Sequence, residues 1–117
     1  MSSMQRTIEG EVLVNHLTHD ELMIDQDLLT KHGRTARTLV KEGDVRLTLM
    51  ALAPGGTLPL HSATDPVTIH VIEGEVLFTA LEHSYPLSRD DVLVLAPGVE
   101  HSATSVVGGK FLLTVFH

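Results

Sequence analysis

The chain has no cysteine and no tryptophan, and its aromatic side chains are limited to three Phe and one Tyr. The missing thiols remove disulfides, thiolate metal sites and cysteine nucleophiles together. The shortage of rings leaves the core to Val, Leu, Ile and Ala, residues that pack well in narrow sheets. Long apolar runs are also missing, and a stretch such as residues 92–97 is far too short to span a bilayer. The first residues, MSSMQRTIEGEV, show no basic start leading into an apolar segment, so no secretory signal is expected. A soluble, cytoplasmic protein without membrane attachment is the expectation.

Positive charge is scarce as well. Eight Lys and Arg stand against fifteen Asp and Glu, a formal net charge of −7 with the eight His counted neutral. Such a surface repels phosphate backbones, which argues against a nucleic-acid partner. The basic residues Arg34, Arg37, Lys41 and Arg46 bunch together but alternate with Thr, Leu and Val, which reads as a solvated strand face.

Apolar residues make up 43% of 117 residues, enough for one packed core and too little for two. Residues 9–17 read as a short strand. Thr18-His19-Asp20-Glu21 has the pattern of a capping box, and Gly33 stands where a C-cap belongs, so a helix is expected over residues 18–32. From Arg34 the pattern has period two. Strands are expected at 45–50, 67–72, 76–81, 92–95, 101–106 and 111–116, with Glu73-Gly74 as a hairpin turn and Pro-Gly pairs at 54–55 and 97–98 as further turns. Many short strands joined by Gly/Pro turns predict an all-β, antiparallel jelly-roll barrel with one short N-terminal helix. Residues 1–33 would form a strand and helix packed on a barrel of residues 34–117, one domain overall.

Two echoes run through the barrel region. Leu52-Ala53-Pro54-Gly55 returns at 95–98, and His61-Ser62-Ala63-Thr64 returns at 101–104. Each places a His a few residues after a Pro-Gly turn, at the start of a strand. Two related halves of a double Greek key would account for this.

On these residues the chain resembles the cupins. Their first motif, G-x5-H-x-H-x3-E-x6-G, falls on Gly55, His61, Ala63, Val67 and Gly74. Their second, G-x5-P-x-G-x2-H-x3-N, falls on Asp90, Ala96, Gly98, His101 and Ser105. The resemblance covers the chain from about Arg34 onward. It implies a double-stranded β-helix, with one divalent metal ion inside the barrel held by the two His and the Glu of the first motif and the His of the second. Carried over residue by residue, only His61 and His101 remain as metal ligands. Ala63 and Val67 have no donor atoms, and two imidazoles fall short of the three protein ligands usual for a catalytic site.

Asp65 is the residue that would complete a two-His, one-carboxylate set, although Pro66 disturbs the strand parity there. His70 falls on the face opposite Val67, Ile69 and Val71 and points away from the interior unless a bulge intervenes. His16, His19, His32, His83 and His117 read as exposed or locally bonded. Ser62 and Ser102 sit beside His but on the opposite strand face, so neither forms a nucleophile pair. Two functions stay open: a barrel that binds a small molecule near His61 and His101, and a metal-dependent oxygenase or isomerase using His61, His101 and possibly Asp65. A module that senses or assembles without turnover is a third. Open sheet edges favour a homodimer. If His61 and His101 lie close together, one of them should resist protonation.

Overall fold

The computed structural model describes residues 12, 14, 16–18 and 22–116. The sequence expectations for residues 9–11, 13, 15, 19–21 and 117 lie outside that set, including most of the expected first strand, His19, His117 and three residues of the capping box. The helix α1 is Gln26–His32, shorter than expected. Its N-cap is Asp25, whose carboxylate accepts from the Leu28 amide at 3.1 Å. Gly33 ends it in the left-handed conformation, with its N–H donating to the Leu29 carbonyl.

Eight strands follow: β1 (Arg34–Glu42), β2 (Val45–Leu52), β3 (Thr57–His61), β4 (Val67–Ala80), β5 (His83–Ser88), β6 (Val92–Leu95), β7 (His101–Thr104) and β8 (Gly109–Phe116). All pairings are antiparallel. One sheet runs β1-β2-β8-β4-β6, and the other runs β3-β7-β4-β5. The strand β4 belongs to both. Its first part pairs with β6 and β8, and its second part with β5 and β7, so the chain passes from one sheet to the other without leaving the strand.

That continuity corrects the expected hairpin at Glu73-Gly74. The register shifts between Val71 and Glu73, a bulge that bends the strand around the barrel corner. Gly74 takes φ +74°, and a β-carbon there would collide with the Gly108 carbonyl oxygen and the Gly109 Cα. The Glu-Gly pair is a pivot inside a strand. The real hairpin comes later, where Ala80 pairs with His83 and the two-residue turn is Leu81-Glu82. The strands β3 and β5 were not anticipated, and the strand expected over 101–106 stops at Thr104.

The core lies between the two sheets. Val67, Ile69 and Val71 from the first half of β4 meet Val76, Phe78 and Ala80 from the second, with Leu52, Leu87, Leu95, Ala103 and Phe111. Phe78 and Phe111 meet edge to face at 5.5 Å. Each of these fully buried rings contributes roughly 2–3 kcal/mol of apolar transfer free energy.

Candidate functional site

The two echoes become neighbours in space. His101 starts β7 as expected, but His61 ends β3 rather than starting a strand, because the pairing with β7 already begins at Thr57, and the two His pair directly. The Pro-Gly turns that precede them match: Pro54 and Pro97 lie ahead of Gly55 and Gly98, each at φ +79°, with closing bonds from Gly56 N–H to Ala53 O (2.7 Å) and Val99 N–H to Ala96 O (3.4 Å). Each turn is tied to the other echo. Gly98 N–H donates to Ala63 O at 2.7 Å, and Gly55 N–H donates to Ser105 O at 2.7 Å. The barrel therefore carries an approximate two-fold relation, with the two His at its meeting point.

The imidazoles are oriented alike. Nδ1 of His61 lies 2.9 Å from Pro59 O, and Nδ1 of His101 lies 3.0 Å from Val99 O, each the carbonyl two residues upstream. A carbonyl only accepts, so each neutral ring carries its proton on Nδ1 and leaves Nε2 as an acceptor. The ring centroids are 4.1 Å apart with the planes tilted by 59°. Neither Nε2 has a hydrogen-bond partner among the described residues. His101 is buried while His61 is exposed. Burial holds the His101 imidazole below its usual titration range; the Val99 carbonyl opposes that shift and the neighbouring His61 adds to it.

The other family positions are filled with hydrocarbon. Val67 is 3% exposed and belongs to the core, and Ala63 packs against it. Asp65 sits in the bend before β4, where its Oδ2 accepts from Thr64 Oγ1 at 3.4 Å. Among the described residues, no group of three or more His, Asp or Glu side chains converges on one point, so Asp65 is not gathered with the pair. His70 stays on the outer face, 3.3 Å from Asp90 Oδ1. His83 lies on β5, opposite Ala80, which in turn opposes His101, and so belongs to the same strand row.

Ser105, at the second motif's last position, has a structural role that its sequence position did not disclose. Buried at 2% exposure, its hydroxyl donates to Glu75 O and accepts from Gly108 N–H at 2.8 Å. It locks the bend of β4 to the turn before β8. Beside it lies a cleft of about 250 Å³ lined by Glu75, Leu77, Pro86, Leu87 and Val106 among others. Asp90, where the family's second motif opens with Gly, adopts φ +70°, a conformation in which Gly is free and Asp is among the better substitutes.

The family model for the cupin domain matches residues 48–115, more than half of the chain. The chain belongs to the cupin family. No curated protein matches it. Among solved structures, a conserved protein of unknown function from Streptococcus pyogenes is 26% identical with a TM-score of 0.72, covering 99% of this cupin and 95% of that chain. An RmlC-like cupin from Desulfovibrio desulfuricans has a TM-score of 0.73 at 21% identity, covering 90% and 97%. Salicylate 1,2-dioxygenase from Pseudoaminobacter salicylatoxidans, also at TM-score 0.73, is 16% identical; the match covers 83% of this cupin but 31% of that longer enzyme. The last two establish the shared barrel alone.

The metal that the resemblance implies does not fit the residues at these positions. Two of its four ligand positions are an alanine and a valine, the valine sealed in the core. The donor set within reach is two imidazoles, below the three protein ligands that a catalytic ion usually takes.

Proposed function

We propose that this cupin binds a small molecule at the mouth of the barrel, held by His61 and His101. The observation that carries the reading is the matched orientation of the pair: both Nδ1 atoms face backbone carbonyls, and both Nε2 acceptors are left to a ligand. The surrounding Ala63, Val67 and Ala103 make a dry wall, in which a few fixed polar groups confer specificity. A ligand with an O–H or N–H donor suits two neutral imidazole acceptors.

The same Nδ1 arrangement is also what metal-bound histidines adopt, which keeps a second reading in play: a divalent ion on His61 and His101, serving an oxygenase or isomerase, with its other ligands from water or substrate. Elemental analysis of protein purified without chelator separates the two. Stoichiometric metal that disappears in His61→Ala overturns the first reading. Failure to retain iron, nickel, manganese, zinc or copper after loading overturns the second.

The proposal includes a homodimer, supported by Val92 and Val94, which stand exposed on the edge strand β6. A monomer by light scattering overturns it. A cytoplasmic location is part of the same reading and rests on the cysteine-free composition. No helix among the described residues is long and apolar enough to cross a membrane.

A further inference from the structure

Among the described residues, the charged side chains at inward strand positions have one sign. Residues that pair directly across antiparallel strands share a face, so the register assigns each side chain to the inside or the outside. Leu52 is in the core and Met50 packs on it, and β2 pairs with β8 without a break, so Thr48 and Arg46 are on the same inner side. Arg46 pairs with Val115, and Val115 pairs with Val67, the residue at the family's Glu position. Across the other edge of β2, Lys41 pairs with Arg46 and Arg34 with Leu52. Arg37, opposite Leu49, falls on the outside.

The inward strand positions thus include Arg34, Lys41, Arg46, His61, His83 and His101, and among the described residues no Asp or Glu. In a chain of net charge −7 this is a marked segregation. The basic residues are exposed, as a solvated strand face would be, but they are solvated on the hollow side. Neither Lys41 nor Arg46 forms an ion pair among the described residues. Adjacent strands are about 4.8 Å apart, so Arg46 starts about 10 Å from Val67, two strands away in the same row. Farther along the same face, a cleft of about 400 Å³ is lined by Arg34, Met50 and Leu58 among others, large enough for a small organic molecule.

We infer that the ligand of this site is an organic anion, a small carboxylate whose charge is met by Arg46 and Lys41 while its body reaches the His61–His101 pair. This rests on the binding reading above and adds the ligand's chemical class. A site built to hold a divalent cation places carboxylates on the inner wall; this wall has a valine in that row and two cations at its end. A guanidinium and an ammonium on paired strand positions can each give a carboxylate a charge-assisted hydrogen bond.

The probe is benzoate, with benzamide as its neutral isostere, followed by NMR on the whole chain through the His61 and His101 ring signals and the backbone amides. Benzoate is expected to bind at least tenfold more tightly than benzamide, to shift both ring signals, and to weaken as salt is raised. Arg46→Gln and Lys41→Gln are each expected to lower benzoate affinity about tenfold, the ratio that corresponds to one charge-assisted hydrogen bond. Both positions are exposed, so the variants keep the fold, as an unchanged amide spectrum checks. Equal binding of benzoate and benzamide overturns the anion. A loss in Arg34→Gln with none in Arg46→Gln overturns the anchor. Benzamide moving the ring signals while benzoate does not leaves the histidine site standing and removes this inference. Benzoate bound through Arg46 with the ring signals unmoved overturns the histidine reading and this inference with it, because the anion then does not reach the pair.

Discussion

Removing one hydroxyl should weaken the whole barrel. Ser105 Oγ joins the bend of β4 to the turn before β8, donating to Glu75 O and accepting from Gly108 N–H, beside the direct backbone bond from Glu75 N–H to Gly108 O at 3.2 Å. Ser105→Ala leaves a backbone donor and a backbone acceptor without that partner, in a corner where Ser105 itself is 2% exposed. A buried polar group left unsatisfied costs about 1–3 kcal/mol. Two of them, one on the exposed residue Glu75 and able to turn to water, place the loss near 2 kcal/mol. With a urea m-value of about 2 kcal/mol/M for a chain of this size, the midpoint should fall by about 1 M at constant m. Ser105→Asn, which installs the family's own residue, has the 250 Å³ cleft beside it to enter and keeps a donor and an acceptor. It should stay within about 1 kcal/mol of the parent. A midpoint shift below about 0.25 M for Ser105→Ala, or equal losses for both variants, would refute the bridging role.

Other expectations are more compact. Because burial lowers the folded pKa of His101, the unfolded chain binds the extra proton first as pH drops. Its contribution is therefore complete above the unfolded value of about 6.5 and lost below it, by at most about 1.4 kcal/mol per pH unit. Urea titrations from pH 7.5 to 5.5 should show a shallower decline in His101→Gln than in the parent, and parallel curves would disprove the assignment. Leu81 and Glu82 occupy the hairpin turn at φ 51° and 65°, where Asn-Gly is favoured. The double substitution Leu81→Asn, Glu82→Gly should raise stability by about 1–2 kcal/mol, read as a melting temperature about 4–8 °C higher. Gly74→Ala must both hold a positive φ and enter the Gly108 backbone, so a loss of at least about 2 kcal/mol is expected by chemical denaturation.

The sequence disclosed those features that depend on local chemistry. Pro-Gly turns, the apolar run of β6 and the alternation of β2 are short-range signals, and the family resemblance assigned His61 and His101 to one site. What it concealed depends on long-range packing. Glu73-Gly74 looks like a turn because a positive-φ glycine serves a hairpin and a bent strand equally well; only the approach of Gly108 and Gly109 decides between them. The turn at Leu81-Glu82 contains neither Asn nor Gly, so it left no signal. Pro86 disguised β5, which tolerates proline because it is an edge strand, paired with β4 alone. Alternation in β2 showed that Arg46 and Leu47 point opposite ways but could not say which way was in. That required the pairing with Val115 and Val67.

The half-kept motif then has a physical explanation. The motif positions carry two separable duties, one in the backbone and one in the side chain. Ala63 has lost the donor atom of its position, yet its carbonyl still receives Gly98 N–H and closes the two-fold link. Val67 has lost a carboxylate, yet it begins β4, pairs with both β6 and β8, and fills core volume with no polar atom to satisfy. Both substitutions leave the barrel intact because backbone bonds and glycine turns hold it. His61 and His101 are also held by backbone, through Pro59 O and Val99 O, so their orientation does not depend on a metal or on the two lost neighbours. A pair fixed in that way is oriented without any help from the two family positions that here hold alanine and valine.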